Sequence, residues 1–188
     1  MPADTKTDVL NSAETMARSH GFDGFSYADL ANSVGIRKAS IHYHYPTKGD
    51  LSLALIGRYR LVFLDRLAGI AKRNRTASAR LLAYLDLYRD ALDGGRSLCL
   101  CVALSVTQGA LPDATKTELA RFHADVAQWL EVVFRLAVSD GSIRAVTDPK
   151  AEAQAALAQV EGAQIMARAA TDPARFEAAI DTLRARAI

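Results

Sequence analysis

Apolar residues recur three and four positions apart through most of the chain, and short runs of helix-starting and helix-stopping residues interrupt them. The pattern predicts an all-α fold of about nine helices. Val9, Leu10, Ala13, Met16 and Ala17 place a first helix over about Thr5 to Ser19, with His20-Gly21 as its stop. Phe22 and Phe25 follow as core anchors. Ser26 and Asp29 have the spacing of a capping box, in which each side chain takes the other's backbone N–H, so a short helix runs from Tyr27 to Ser33. Val34-Gly35-Ile36 breaks it with a residue suited to positive φ, and a third helix spans about Arg37 to Tyr45, Ile41 facing inward against Leu30 and Val34. Pro46 ends it, because the residue before a proline is pushed out of the α region. Thr47 and Asp50 repeat the box and open a long fourth helix with Leu51, Leu55, Tyr59, Val62, Phe63 and Leu67 on its apolar side.

Lys72 to Ser78 is basic and polar without periodicity, and reads as a loop. Further helices are expected at Ser78 to Leu92, Leu98 to Gln108, Asp113 to Ser139, Pro149 to Ala170 and Pro173 to Ala187. Asp148-Pro149 and Asp172-Pro173 each read as an N-cap followed by proline in the first turn. The expected organisation is a helix-turn-helix domain over residues 1–50 and a larger helical domain over 51–188, joined within helix four.

Composition agrees with helix-on-helix packing: half of the residues are apolar and only 7% aromatic. A formal net charge of +2 means that any nucleic-acid contact must come from a local basic cluster. Asp4, Lys6 and Asp8 interrupt the start of the chain, and no stretch has the apolar length of a membrane span, so a soluble cytoplasmic protein that does not engage membrane is expected. Cys99 and Cys101 are too close in sequence to staple a domain.

A short capped helix, a glycine turn and a second short helix with a polar leading edge can place that second helix in the major groove of DNA. The exposed positions of the third helix, Arg37, Lys38, Ser40, His42, Tyr43 and His44, with Lys48 beyond the proline, carry donors suited to phosphates and base edges. His42 and His44 do not suit one-face metal ligation, since two positions on a helix diverge by about 200°. The basic run from Arg58 to Arg75 reads as a solvated face. No serine, cysteine or histidine motif comes with an orienting partner, and neither a glycine-rich phosphate loop nor a metal-ligand set stands out. No catalytic residue, metal or cofactor is therefore expected.

The run from Phe22 to Leu55, with Gly21-Phe22, Leu30-Ala31, Val34-Gly35-Ile36, Ile41-His-Tyr-His-Tyr-Pro-Thr-Lys48 and Leu51, resembles the DNA-binding region of the TetR family. The resemblance implies a dimeric repressor on palindromic double-stranded operator DNA. Position by position, it implies phosphate contacts for His44 and Lys48, a helix cap at Thr47 whose backbone N–H faces a phosphate, and a groove-facing surface at Lys38, Ser40 and Tyr43. Three positions depart from the family pattern. His42 replaces a phosphate-binding tyrosine, so the phosphate interaction at this position is either missing or pH-sensitive. Ala28 replaces an arginine that often reads a base, and Arg37 replaces a small polar residue, bringing a fork able to pair with guanine.

The resemblance further implies a small-molecule inducer bound among helices five to seven, with Tyr88, Cys99, Val102, Thr107, Gln108, His123 and Trp129 as candidate ligand-binding residues; the same stripe of residues also reads as plain core. Gly95-Arg-Ser-Leu-Cys99-Leu100 is similar to a TetR subgroup segment with a cysteine at the start of helix six. Cys99 is accordingly either a packing residue or a reactive thiol activated by a helix N-terminus and Arg96. Helix eight is rich in alanine, and with Phe176, Ala179, Ile180 and Leu183 of helix nine it suggests a homodimer through the last two helices. A small helical enzyme and a structural helical adaptor without DNA binding are the alternatives.

Overall fold

The computed structural model describes residues 5–188, in nine α-helices among the described residues. Asp4, one of the charges that interrupt the start of the chain, lies outside them. The helices are α1 (Thr5–His20), α2 (Tyr27–Val34), α3 (Lys38–His44), α4 (Lys48–Arg73), α5 (Ala77–Leu92), α6 (Leu100–Ser105), α7 (Asp113–Asp140), α8 (Pro149–Ala170) and α9 (Ala174–Arg184). They fall into two compact units. One runs up to Arg60 and includes Leu100–Arg121; the other comprises Leu61–Cys99 and Phe122–Ile188. The division therefore cuts α4 after Arg60 and α7 after Arg121.

In the first unit, Val9, Leu10, Ala13 and Ala17 of α1 join a buried core with Phe22, Phe25, Leu30, Ile41, Leu51 and Leu55. Phe22 and Phe25 meet edge to face at 5.7 Å between centroids, which seats the turn between α1 and α2. Gly35 ends α2 at φ 74°, a left-handed conformation that a side chain would resist. Polar contacts then fix α4 to both flanks: Arg58 donates to Asn11 and Glu14, each at 2.8 Å, and the Ser52 and Thr115 hydroxyls share a buried hydrogen bond of 2.8 Å. Gly49 lies so close to Pro112 that a Cβ there would come within 2.7 Å of the proline ring.

In the second unit, Phe63, Tyr88 and Phe122 form an aromatic core, the Phe63 centroid lying 5.8 and 5.2 Å from the other two. The Asp140 carboxylate accepts from the Ala77 N–H and the Ser142 hydroxyl from the Ser78 N–H, at 2.8 and 2.9 Å, satisfying donors that the start of α5 leaves open. Phe176, Ile180 and Leu183 of α9 are buried, and the chain end pairs with the α7–α8 connection through Ile143 and Ala187.

The structure changes several sequence expectations. α6 ends at Ser105, short of Gln108: the Thr107 hydroxyl bonds back to the Ala103 carbonyl, and a tight turn carries Gln108 into solvent. α9 begins after Pro173, with Asp172 still accepting from the Ala174 N–H at 3.0 Å. Val62 is 47% exposed because Phe63 takes the inward position on that turn of α4. Phe176, Ile180 and Leu183 are buried in the chain's own core, so a contact of α9 with a second copy would use its other residues. The outward residues of α8 are instead Ala151, Ala155, Ala158, Ile165, Met166, Ala169 and Ala170, with Lys150 and Gln154 among them.

Candidate nucleic-acid interface

The interface is assembled by two capping boxes and one tyrosine. At the start of α2, the Ser26 N–H donates to Asp29 Oδ2 at 2.8 Å and the Asp29 N–H donates back to Ser26 Oγ at 3.3 Å. The Ser26 hydroxyl, which donates to the same carboxylate oxygen at 2.7 Å, and then the Ser26 N–H hold the Asp29 carboxyl below the ordinary carboxylate range. Thr47 and Asp50 repeat the arrangement at the start of α4, at 2.9 and 3.1 Å. Between them the Tyr27 hydroxyl lies 2.8 Å from the Tyr45 carbonyl and 2.7 Å from that of Thr47. Burial first, then Asp50 and Tyr45, pushes the Tyr27 phenol up to about 12.

With both ends fixed, α3 is anchored by Ile41, which is fully buried, and turns its other faces outward. Arg37 is its N-cap, with Lys38, His42 and Tyr43 exposed and Ser40 and His44 half-buried. Tyr43 is 84% exposed, its ring edge-on to His44 at 5.2 Å. The His42 ring leans on Tyr27 at 4.8 Å, and its Nδ1 lies 3.2 Å from the Pro46 carbonyl.

Two expected phosphate contacts take a different form. The Thr47 N–H is not open to a phosphate, because the Asp50 carboxylate of its own capping box takes it. Lys48 folds back: its ammonium donates to the Phe22 carbonyl at 2.7 Å and lies 5.0 and 4.6 Å from the centroids of Phe22 and Phe25. Desolvation lowers its pKa, against the pull of Asp23 and Asp29. An ammonium has three donors, so Lys48 keeps capacity for an anion while helping to hold the turn after α1.

The candidate ligand residues divide between the two units. Val102, Thr107 and Gln108 belong to the first, whereas Tyr88, Cys99, His123 and Trp129 belong to the second. Within the second unit Gln164 joins two of them: its amide donates to the Tyr88 carbonyl at 2.7 Å and accepts from the Cys99 N–H at 2.8 Å. The Tyr88 hydroxyl donates to Glu161 at 3.4 Å, and His123 Nε2 lies 3.3 Å from the same oxygen, off the line of a hydrogen bond. Trp129 stacks on Tyr84 at 5.9 Å. Cys99 and Cys101 are not joined in a disulfide and are fully buried, and Arg96, expected to activate Cys99, pairs with Asp93 in solvent.

Sequence reasoning missed Tyr27, Glu161 and Gln164. Gln164 was detectable, since it continues the stripe Leu157, Val160, Ala167 at helical spacing, where a polar residue must find buried partners.

Residues 9–55 match the model for bacterial regulatory proteins of the tetR family, and residues 77–183 match that for the tetracyclin repressor-like C-terminal domain. The chain belongs to the TetR family. A solved TetR-family transcriptional regulator from Agrobacterium tumefaciens superposes over 100% of this chain and 99% of its own, at 30% identity and a TM-score of 0.92. The reduced form of NemR from Escherichia coli shares the fold over 98% of both chains, at 21% identity and a TM-score of 0.83. The biofilm operon icaADBC HTH-type negative transcriptional regulator IcaR of Staphylococcus epidermidis is 37% identical over 46 residues, which is 24% of this chain and 25% of that protein. This TetR-family chain is thus a transcriptional regulator and not an enzyme, and among its described residues no helix is long and apolar enough to cross a membrane.

Proposed function

We propose that this regulator is a repressor that binds palindromic operator DNA as a homodimer, inserting α3 of each copy into successive major grooves. The observation that carries the reading is the contrast along α3: Ile41 is fully buried while Tyr43, two positions on, is 84% exposed beside Lys38 and His42. A large aromatic held in water next to basic groups costs solubility unless it has a partner, and base edges and thymine methyls suit it. The outward alanines of α8, with Ile165 and Met166, let a second copy approach closely. In this reading the base-reading residues are Arg37, Lys38, Ser40 and Tyr43, and the phosphate-binding residues are His42, His44 and Lys48.

Release follows from a small molecule bound near Tyr88, His123 and Trp129. Because α4 and α7 each run through both compact units, a ligand that favours one orientation of these helices changes the separation of the two recognition helices. Modification of Cys99 or Cys101 is the less favoured trigger, since both thiols are buried.

The test is selection of duplexes from a random pool by the full chain, followed by fluorescence anisotropy and sedimentation velocity. A two-fold symmetric consensus bound by two copies is expected; a monomer that enriches no sequence overturns the reading.

A further inference from the structure

A shallow cleft of about 350 Å³ opens where the start of α2, the exposed side of α3 and the start of α4 meet. Tyr27, Lys38, His42, Pro46, Thr47 and Lys48 line it, and among the described residues no carboxylate does. Two lysines and an imidazole around an open cleft suit a single anion, which on duplex DNA is a backbone phosphate.

The state of His42 decides how well. Its Nδ1 lies 3.2 Å from the Pro46 carbonyl, and a carbonyl only accepts, so Nδ1 carries the proton in the neutral ring. Nε2 then holds a lone pair, which repels a phosphate oxygen. Taking up a proton leaves the Pro46 bond in place and converts Nε2 into a charged donor, because the cation donates from both nitrogens. The edge contact with Tyr27, 4.8 Å between centroids, restrains the ring in that orientation.

We propose that His42 makes DNA binding by this chain proton-linked, one phosphate per protomer being held tightly only when the imidazole is protonated. This rests on the DNA-binding reading above. The charged and titratable groups around His42 are Tyr27 from α2, Lys38 and His44 on its own helix, and Lys48 with Asp50 from α4; Asp29 acts on Lys48. Histidine is the residue type among them that ordinarily changes charge between pH 5 and 8, and of the two histidines His42 is the one that lines the cleft. Affinity therefore rises as pH falls through that range, and by reciprocity DNA binding draws in a proton.

The experiment measures anisotropy of labelled duplexes, selected from a random pool at neutral pH, with the full chain at about pH 6 and about pH 8 and constant ionic strength. Wild type, His42→Gln and His20→Gln are compared, with circular dichroism melts to verify folding. Wild type is expected to bind about fivefold or more tightly at the lower pH, and its salt slope to steepen by about one per phosphate gained. His42→Gln is expected to lose both changes and His20→Gln, at the exposed end of α1 and outside the interface, to keep them. A pH response that survives in His42→Gln, or disappears equally in His20→Gln, overturns the proposal while leaving DNA binding intact. Should wild type bind no duplex at either pH, the underlying reading fails and this inference with it.

Discussion

The Tyr27 hydroxyl meets the Thr47 carbonyl at 2.7 Å, tying the first turn of α2 to the residue that caps α4. One proton serves both that carbonyl and the one on Tyr45, and the ring supports His42 on its other side. A single side chain thereby sets the angle at which α3 leaves the protein surface.

Tyr27→Phe is accordingly expected to cost about 1–3 kcal/mol in urea unfolding, the range for leaving buried acceptors without their donor, and to weaken DNA binding as well. The alkaline limb provides a second check. Folding raises the Tyr27 phenol from 10.0 to about 12, so its contribution is complete below pH 10.0 and disappears as pH rises through about 12. Tyr27→Phe removes that part of the pH dependence; an unchanged urea midpoint and alkaline limb contradict this role.

The α2 capping box makes an acid-side prediction. Ser26→Ala is expected to destabilise by about 1 kcal/mol. Asp29 is lowered in the folded state by its Ser26 bonds, so its contribution is present above 3.8 and disappears as pH falls below it. Acid unfolding monitored by circular dichroism is expected to lose the hydroxyl's share of this component in Ser26→Ala, the main-chain N–H bond to Asp29 remaining.

Gln164 is fully buried and satisfies two main-chain groups, the Tyr88 carbonyl and the Cys99 N–H. Gln164→Met keeps the volume but removes both hydrogen bonds, and a loss of about 1–3 kcal/mol is expected on denaturant titration. A loss below about 0.5 kcal/mol, the scale of ordinary surface substitutions, shows that the bridge carries little.

Tyr43 separates stability from function. At 84% exposure, Tyr43→Ala is expected to change unfolding free energy by no more than about 0.5 kcal/mol, yet to weaken duplex binding about tenfold or more. Arg37→Ala is expected to cost about 1–3 kcal/mol in binding and to relax preference at one base pair, read by repeating the duplex selection. Uniform weakening at every position assigns Arg37 to the backbone instead.

Ala158 sits on the outward face of α8, away from the buried Leu157 and Val160. Ala158→Arg places a charge in the proposed dimer contact and is expected to yield monomers in sedimentation velocity with little change in the melting curve. A dimer of undiminished strength moves the contact to another surface.

Local chemistry along the sequence determined the helices and the outline of the DNA-reading edge. Both capping boxes, the left-handed Gly35 and the inward Ile41 follow from residue type and spacing within four positions, so they need no knowledge of distant neighbours. What the sequence left open depends on partners far along the chain. The Lys48 ammonium finds the Phe22 carbonyl 26 positions away, Gln164 finds Tyr88 76 positions away, and the apolar stripe of α9 finds the protein's own core. A side chain's spacing fixes the face it occupies, but only packing between helices decides whether that face meets water, a neighbour or another molecule.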